Sequence, residues 1–164
     1  MNRIKVVNEP SDLVPMLLAV QTSIKRKVLD ALFRDWLTMK DVEKKFSKKG
    51  KEALVSFEKM KLVETRWQST EPGASPEKAY HTYYTSFHIN ASCPVNEMCD
   101  ILSAVIMPDR DFQKLENKML RFVGKDGKFA GDVAEKMGLT PTLLKSAVKR
   151  STRLEYRGHR IEKI

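Results

Sequence analysis

Apolar positions along this chain recur at helical spacing over most of its length, and the pattern shifts to strand-like runs in two places. Pro10-Ser-Asp-Leu opens the first helical stretch, in which Ser11 or Asp12 caps a helix carrying Leu13, Met16, Leu17 and Val20, with Pro15 in its first turn. The residues before it read as irregular. A second helix is predicted over about 23–34, burying Ile24, Val28, Leu29, Leu32 and Phe33, and Trp36 and Leu37 read as loop residues that plug the core. Thr38 then caps a short helix, with Asp41 three residues on as an approximate capping box and Val42 and Phe46 as its apolar face. Ser47 to Gly50 reads as a turn, and a further helix over about 51–60 buries Leu54, Phe57 and Met60. β-Branched and aromatic residues at 63–68 and 79–89 flank the Pro/Gly-rich loop 69–76, which is a hairpin signal.

After a boundary at about Asn90 to Pro94 the helical rhythm returns. One helix is predicted over about 94–107 and a second over about 109–123, separated by Pro108, with a turn at 124–127. Val133, Ala134 and Met137 then mark a short helix, ended by Gly138, where glycine takes the left-handed conformation of a C-cap. Thr140 is a good N-cap and Pro141 suits the first helical position; Leu143, Leu144, Ala147 and Val148 form the stripe of the next helix. Two helices joined by so short a turn, the second basic and followed by a strand-like tail, read as a helix-turn-helix with a wing. The expected fold is mainly α with small β-wings, a tandem winged helix-turn-helix. Residues 1–90 form the N-terminal winged unit and 91–164 the C-terminal helix-turn-helix or winged-helix domain.

Composition narrows the function. The 164 residues are 41% hydrophobic and 31% charged, as in a soluble globular protein, and carry a net charge of +9. No apolar run approaches the ~18 residues a membrane span needs, and Met1 to Val7 does not read as a secretory signal, so a cytoplasmic protein without membrane contact is expected. The excess charge is not spread evenly. Residues 40–61 hold eight basic and four acidic side chains, 138–164 seven and two, but 94–137 seven and eight. Such clustering favours nucleic acid as partner.

The segments Lys27-Val-Leu-Asp-Ala-Leu32, Thr38-Met-Lys-Asp-Val-Glu43 and Ala53 to Val63 resemble the winged-helix domain of arsenical-repressor-type (ArsR-like) regulators, the archaeal ones in particular. The likeness covers 23–89, roughly the first half. It implies a homodimeric, DNA-binding transcription regulator. The cysteine motif of the metal-sensing branch is missing from 41–46, so metal sensing is not implied. The C-terminal half resembles the second helix-turn-helix that many archaeal regulators carry.

The candidate chemistry follows from these elements. In the N-terminal unit Lys48, Lys49, Lys51, Val55, Ser56 and Lys59 are expected to face double-stranded DNA, with Arg66 and Lys78 on the wing. In the C-terminal unit the candidates are Thr142, Lys145, Ser146, Lys149 and Arg150, with Arg153, Arg157, His159, Arg160 and Lys163 meeting phosphates from the wing. The bland alternative for each lysine is a solvated face. Tyr80, Tyr83, Tyr84, Trp67 and Phe87 offer stacking surfaces, against the plainer reading that wing aromatics pack on their own helices. Cys93 and Cys99, six residues apart, differ by about 240° on one helix, which argues against a bond between them. Cys99 is expected in the core, whereas Cys93, just before Pro94, is the thiol to watch in a thiol-responsive repressor. The histidines show no zinc spacing, and no nucleophile elbow, phosphate-cradling loop or carboxylate cluster suggests an enzyme or a cofactor. A winged-helix module for protein contacts is the rival from another class. The operator and any small-molecule effector stay unnamed by the sequence.

Overall fold

The computed structural model describes residues 2–69 and 71–164; Met1 of the segment read for a leader, and Thr70 of the expected wing loop, lie outside the described residues. The first half of the chain runs β1 (Ile4–Val7), a 3-10 turn (Pro10–Asp12), α1 (Leu13–Ala19), α2 (Ser23–Arg34), β2 (Leu37–Thr38), α3 (Met39–Lys59), β3 (Val63–Gln68), β4 (Glu77–Thr82) and β5 (Ser86–Ile89). The second half runs α4 (Val95–Ile106), α5 (Asp109–Val123), β6 (Lys128–Phe129), α6 (Ala130–Met137), α7 (Pro141–Arg150), β7 (Leu154–Arg157) and β8 (Arg160–Lys163). Small sheets beside a majority of helix are what a winged-helix protein shows. No helix among the described residues is long and apolar enough to cross a membrane.

The chain separates into two compact units. One takes the residues through Val6 together with Ala19–Ile89. Here Thr22 caps α2, its hydroxyl accepting from the Lys25 N–H at 3.2 Å. Thr38 caps α3 in a full capping box: its hydroxyl accepts from the Asp41 N–H at 3.2 Å, and the Asp41 carboxylate accepts from the Thr38 N–H at 2.9 Å. The hydrogen bonds from Thr38 hold the Asp41 carboxyl below the usual carboxylate range. The sheet has the antiparallel order β2-β4-β3, with Leu37 opposite Tyr80 and Arg66 opposite Ala79. Val28, Leu32, Val42, Ala53, Leu54, Phe57 and Ala79 are buried. β1 and β5 make a separate two-stranded ribbon.

The other unit takes Val7–Leu18 with Asn90–Ile164. Its core joins Phe112, Met119 and Val123 of α5, Val133 and Ala134 of α6, Leu144, Ala147 and Val148 of α7, and Leu154 and Ile161 of the hairpin. Gly138 sits in the left-handed region (φ 66°, ψ 36°), and the Leu139 N–H closes the turn on the Ala134 carbonyl. Thr140 then caps α7, accepting from the Leu143 N–H at 3.1 Å. The sheet order β6-β8-β7 repeats that of the first sheet.

Several elements differ from expectation. The turn expected at 47–50 is a single kinked residue: Ser47 has φ 62° and ψ −172°, after which the helix resumes. Gly50 lies inside the second arm because a Cβ there would stand 2.4 Å from the Phe46 Cβ. The N-terminal residues expected to be irregular form β1, and the long strand expected over 79–89 breaks into β4 and β5. Phe33 is exposed rather than buried. Trp36 is half-buried and stacks on His81 instead of plugging the core. Cys99, expected among core residues, is exposed, and Cys93 lies ahead of α4, so the angular argument for two cysteines on one helix does not apply.

Candidate nucleic-acid interface

The two helices with reading-type chemistry stand in opposite circumstances. In α3 the second arm begins at Lys48 and Lys49, both exposed, and neither forms an ion pair among the described residues. Val55, on the same arm, is 43% exposed, Ser56 and Lys59 are half-buried, and Lys51 reaches Glu43 of the first arm at 3.2 Å. Lys44 and Lys45 of the first arm are exposed beside them. Sequence reasoning passed these two over, although the charge run of residues 40–61 contains them.

The wing beside α3 is held by local charge contacts. Arg66 lies over the Trp36 ring at 4.1 Å and donates to the Gln68 side chain. Lys78 pairs with Glu58, a bond that raises its pKa, and lies over the Tyr80 ring. Burial raises the Tyr80 phenol. Of the expected stacking aromatics, Tyr80 is buried, Tyr83 sits under Arg3, Tyr84 packs on Tyr83, and Trp67 is 72% exposed on β3.

α7 offers no such open face. Ser146, expected to look outward, is 0% exposed, and its hydroxyl has no hydrogen-bond partner among the described residues. Lys145 pairs with Glu9, and Lys149 pairs with Asp12 and donates to the Ser11 hydroxyl at 3.0 Å. Arg150 is turned inward: its guanidinium donates to the carbonyls of Ala104 (2.8 Å) and Met107 (2.7 Å) and to Asp109 (2.7 Å). Its side chain is 6% exposed, and that burial lowers its pKa. The guanidinium thus satisfies carbonyls left open at the C-terminal end of α4, where a cation is favoured. Thr142 is half-buried.

The C-terminal hairpin is similar. Arg153 pairs with Glu116, a buried carboxylate that also accepts from Ser151. Arg157 bridges Glu155 (2.8 Å) and Glu162 (3.3 Å). Arg160 donates to the carbonyls of Asp126 (2.9 Å) and Gly127 (3.1 Å), while His159 and Lys163 are exposed. The buried carboxylate of Glu116 is not among the residues that the sequence singles out. Its spacing from Phe112 and Met119, four and three residues, was the available sign of an inward position.

The model of a family described as ArsR transcriptional regulator matches residues 7–164. No curated protein matches the chain.

Proposed function

Because the chain belongs to the ArsR transcriptional regulator family, we propose that it binds double-stranded operator DNA as a homodimer, through two winged helix-turn-helix units in tandem of which the first reads. The second arm of α3 enters the major groove. Lys48, Lys49, Ser56 and Lys59 meet base edges and phosphates there, Lys51 joins them on leaving Glu43, and Arg66 meets the backbone from the wing. Lys44 and Lys45 extend the same positive surface.

One observation carries this choice: Lys48 and Lys49 stand exposed without ion pairs among the described residues, while the cations of α7 are engaged inside their own unit. A lysine already bonded to a carboxylate must give up that bond before it neutralises a phosphate, and a buried serine cannot reach a base edge at all. On this reading Thr142, Lys145, Ser146, Lys149, Arg150, Arg153, Arg157 and Arg160 hold the second unit together rather than contact DNA. The repeated strand order β2-β4-β3 and β6-β8-β7 supports the tandem description. In a two-fold dimer the paired reading arms meet half-sites about 34 Å apart.

The test is duplex binding across a salt series, using sequences selected from random duplexes. Each phosphate neutralised contributes about −0.9 to the log–log slope, so five or six lysine and arginine contacts per protomer give about −4.5 to −5.5 per protomer. Weak binding with no salt slope would return the protein to the class of winged-helix modules that contact other proteins.

A further inference from the structure

Residues 94–137 hold seven basic and eight acidic side chains, so composition gives this stretch no positive excess, yet the fold sorts the two signs. Several acids are drawn away. Glu116 is buried against Arg153 and Ser151, Asp109 pairs with Arg150, and Asp100 accepts from the Thr140 hydroxyl at 2.6 Å. Cations are left along one side of α5. Arg110, Lys114, Lys118 and Arg121 follow one another at intervals of four, four and three, which puts them within a sector of about 80° and over about 16 Å of helix axis. All four are exposed, on the side away from Phe112, Glu116, Met119 and Val123, which are buried. Among the described residues only Lys114 of the four meets a carboxylate, that of Asp111 at 3.6 Å in an exposed pair. Like charges three and four apart on a helix repel, and Arg110 stands in the first turn, where the helix dipole disfavours a cation. The helix keeps this row at a cost that a bound anion relieves. At its far end the row meets α6. Lys118, Arg121, Phe122, Lys136 and Met137 line a shallow depression of about 420 Å³, with Lys128 over the Phe122 ring at 5.8 Å. Asp132 and Glu135 adjoin Lys136 and bound the positive surface on that side.

We propose that this face of the second unit, the row on α5 together with Lys136 of α6, binds the phosphodiester backbone of double-stranded DNA. The inference rests on the operator-binding reading for the polymer and adds a second contact, in the other unit and on neither α3 nor α7. Chemistry selects the occupant. The cations stand about 4.5–6 Å apart along the axis, and a duplex offers a charge every ~1.7 Å of its own length, so several phosphates come within reach of a row this long. A single small anion engages one or two of these side chains and leaves the others facing each other. A lipid surface takes apolar side chains set among the cations, and Gln113 and Asn117 stand there instead. Contacts to phosphate position a protein without reading sequence, so this face adds affinity equally for every duplex, while α3 supplies the choice among them.

The experiment compares the wild type with Lys118→Ala/Arg121→Ala/Lys136→Ala in fluorescence anisotropy titrations over a salt series, on a selected operator duplex and on an unrelated duplex of equal length. Arg110→Ala/Lys114→Ala probes the other end of the row, and Lys118→Arg/Lys136→Arg keeps the charge. We expect the triple variant to bind at least ~10-fold more weakly at moderate salt, by the same factor on both duplexes, with its log–log slope flattened by about 2.7 per protomer and an unchanged circular dichroism spectrum. The double variant should flatten the slope by about 1.8, and the charge-keeping variant should stay within about two-fold of the wild type. Triple and double variants that bind like the wild type overturn the α5 surface and leave reading by α3 intact; the row is then a solvated face or a seat for an acidic protein. A loss confined to the operator duplex also overturns it, because phosphates are common to both. A wild type that binds neither duplex with any salt slope overturns this surface and the operator reading together.

Discussion

Ser47 bears more conformational cost than any other residue of the proposed reading helix. Its φ of 62° with ψ of −172° falls in a region essentially reserved for glycine, where a Cβ costs on the order of 1–3 kcal/mol. Ser47→Gly removes that cost and gives back part of it through a looser unfolded chain. The expected outcome is a gain of about 1 kcal/mol in urea unfolding, without loss of duplex affinity. Asp41, at the other end of the first arm, acts in the opposite sense. Its pKa is lowered in the folded state by the Thr38 N–H and hydroxyl, so its contribution is present above the unfolded carboxylate value of about 3.9 and fades as pH falls through the lower folded value. Asp41→Ala should cost about 1 kcal/mol at neutral pH. The gap between variant and wild type should hold from pH 7 to 5 and shrink below about pH 4 in denaturant titrations. A gap that widened in acid would mean that Asp41 is not the group responsible.

At the scale of elements, α3 and α7 show what local sequence can and cannot say. Gly138, Thr140 and Pro141 mark the ends of the helices around that turn through contacts within a few residues, and those caps are legible in the sequence alone. The burial of α7 is not. Lys149 meets residues 137 and 138 positions earlier in the chain, and Arg150 meets carbonyls more than 40 positions away. No periodicity within α7 encodes either contact. In α3 the kink is legible as a break but reads as a longer turn, because Gly50 resembles a loop glycine when its real task is to admit Phe46. In α4 a helix apolar on most sides reads as having a single buried face, which places Cys99 wrongly in the core. The functional consequence is measurable at this scale. Lys48→Ala/Lys49→Ala should weaken duplex binding by ten-fold or more at moderate salt and flatten the log–log slope by about 2 per protomer. Lys145→Ala/Lys149→Ala should change affinity less than three-fold. The reverse order in fluorescence anisotropy titrations would make α7 the reader.

For the whole chain, the net charge of +9 says less than the way the charges are engaged. The C-terminal excess that looks like a footprint for phosphate is largely met by carboxylates and carbonyls of its own unit, and the segment Val7–Leu18 supplies α7 with two carboxylates and a hydroxyl. That segment is distant in sequence from the unit it belongs to, so a change near the N-terminus should be felt in the last third of the chain. Glu9→Ala/Asp12→Ala removes both carboxylates that hold Lys145 and Lys149. Lys145 is partly exposed and its pair is screened, so the expected cost is modest, about 1 kcal/mol, falling mainly on the Lys149 contact. Hydrogen exchange should report it as faster amide exchange in α7 and α4, with α2 unchanged. The same variant separates two meanings of the acidic segment. If Glu9 and Asp12 merely brace a structural helix, duplex affinity stays within about two-fold, because Ser146 and Arg150 remain buried after the carboxylates are gone. If they stand in for phosphates on a reading helix, their removal raises affinity sharply and steepens its salt dependence, since two lysines become available to the backbone. The burial of Ser146 and the inward turn of Arg150 point to the first outcome.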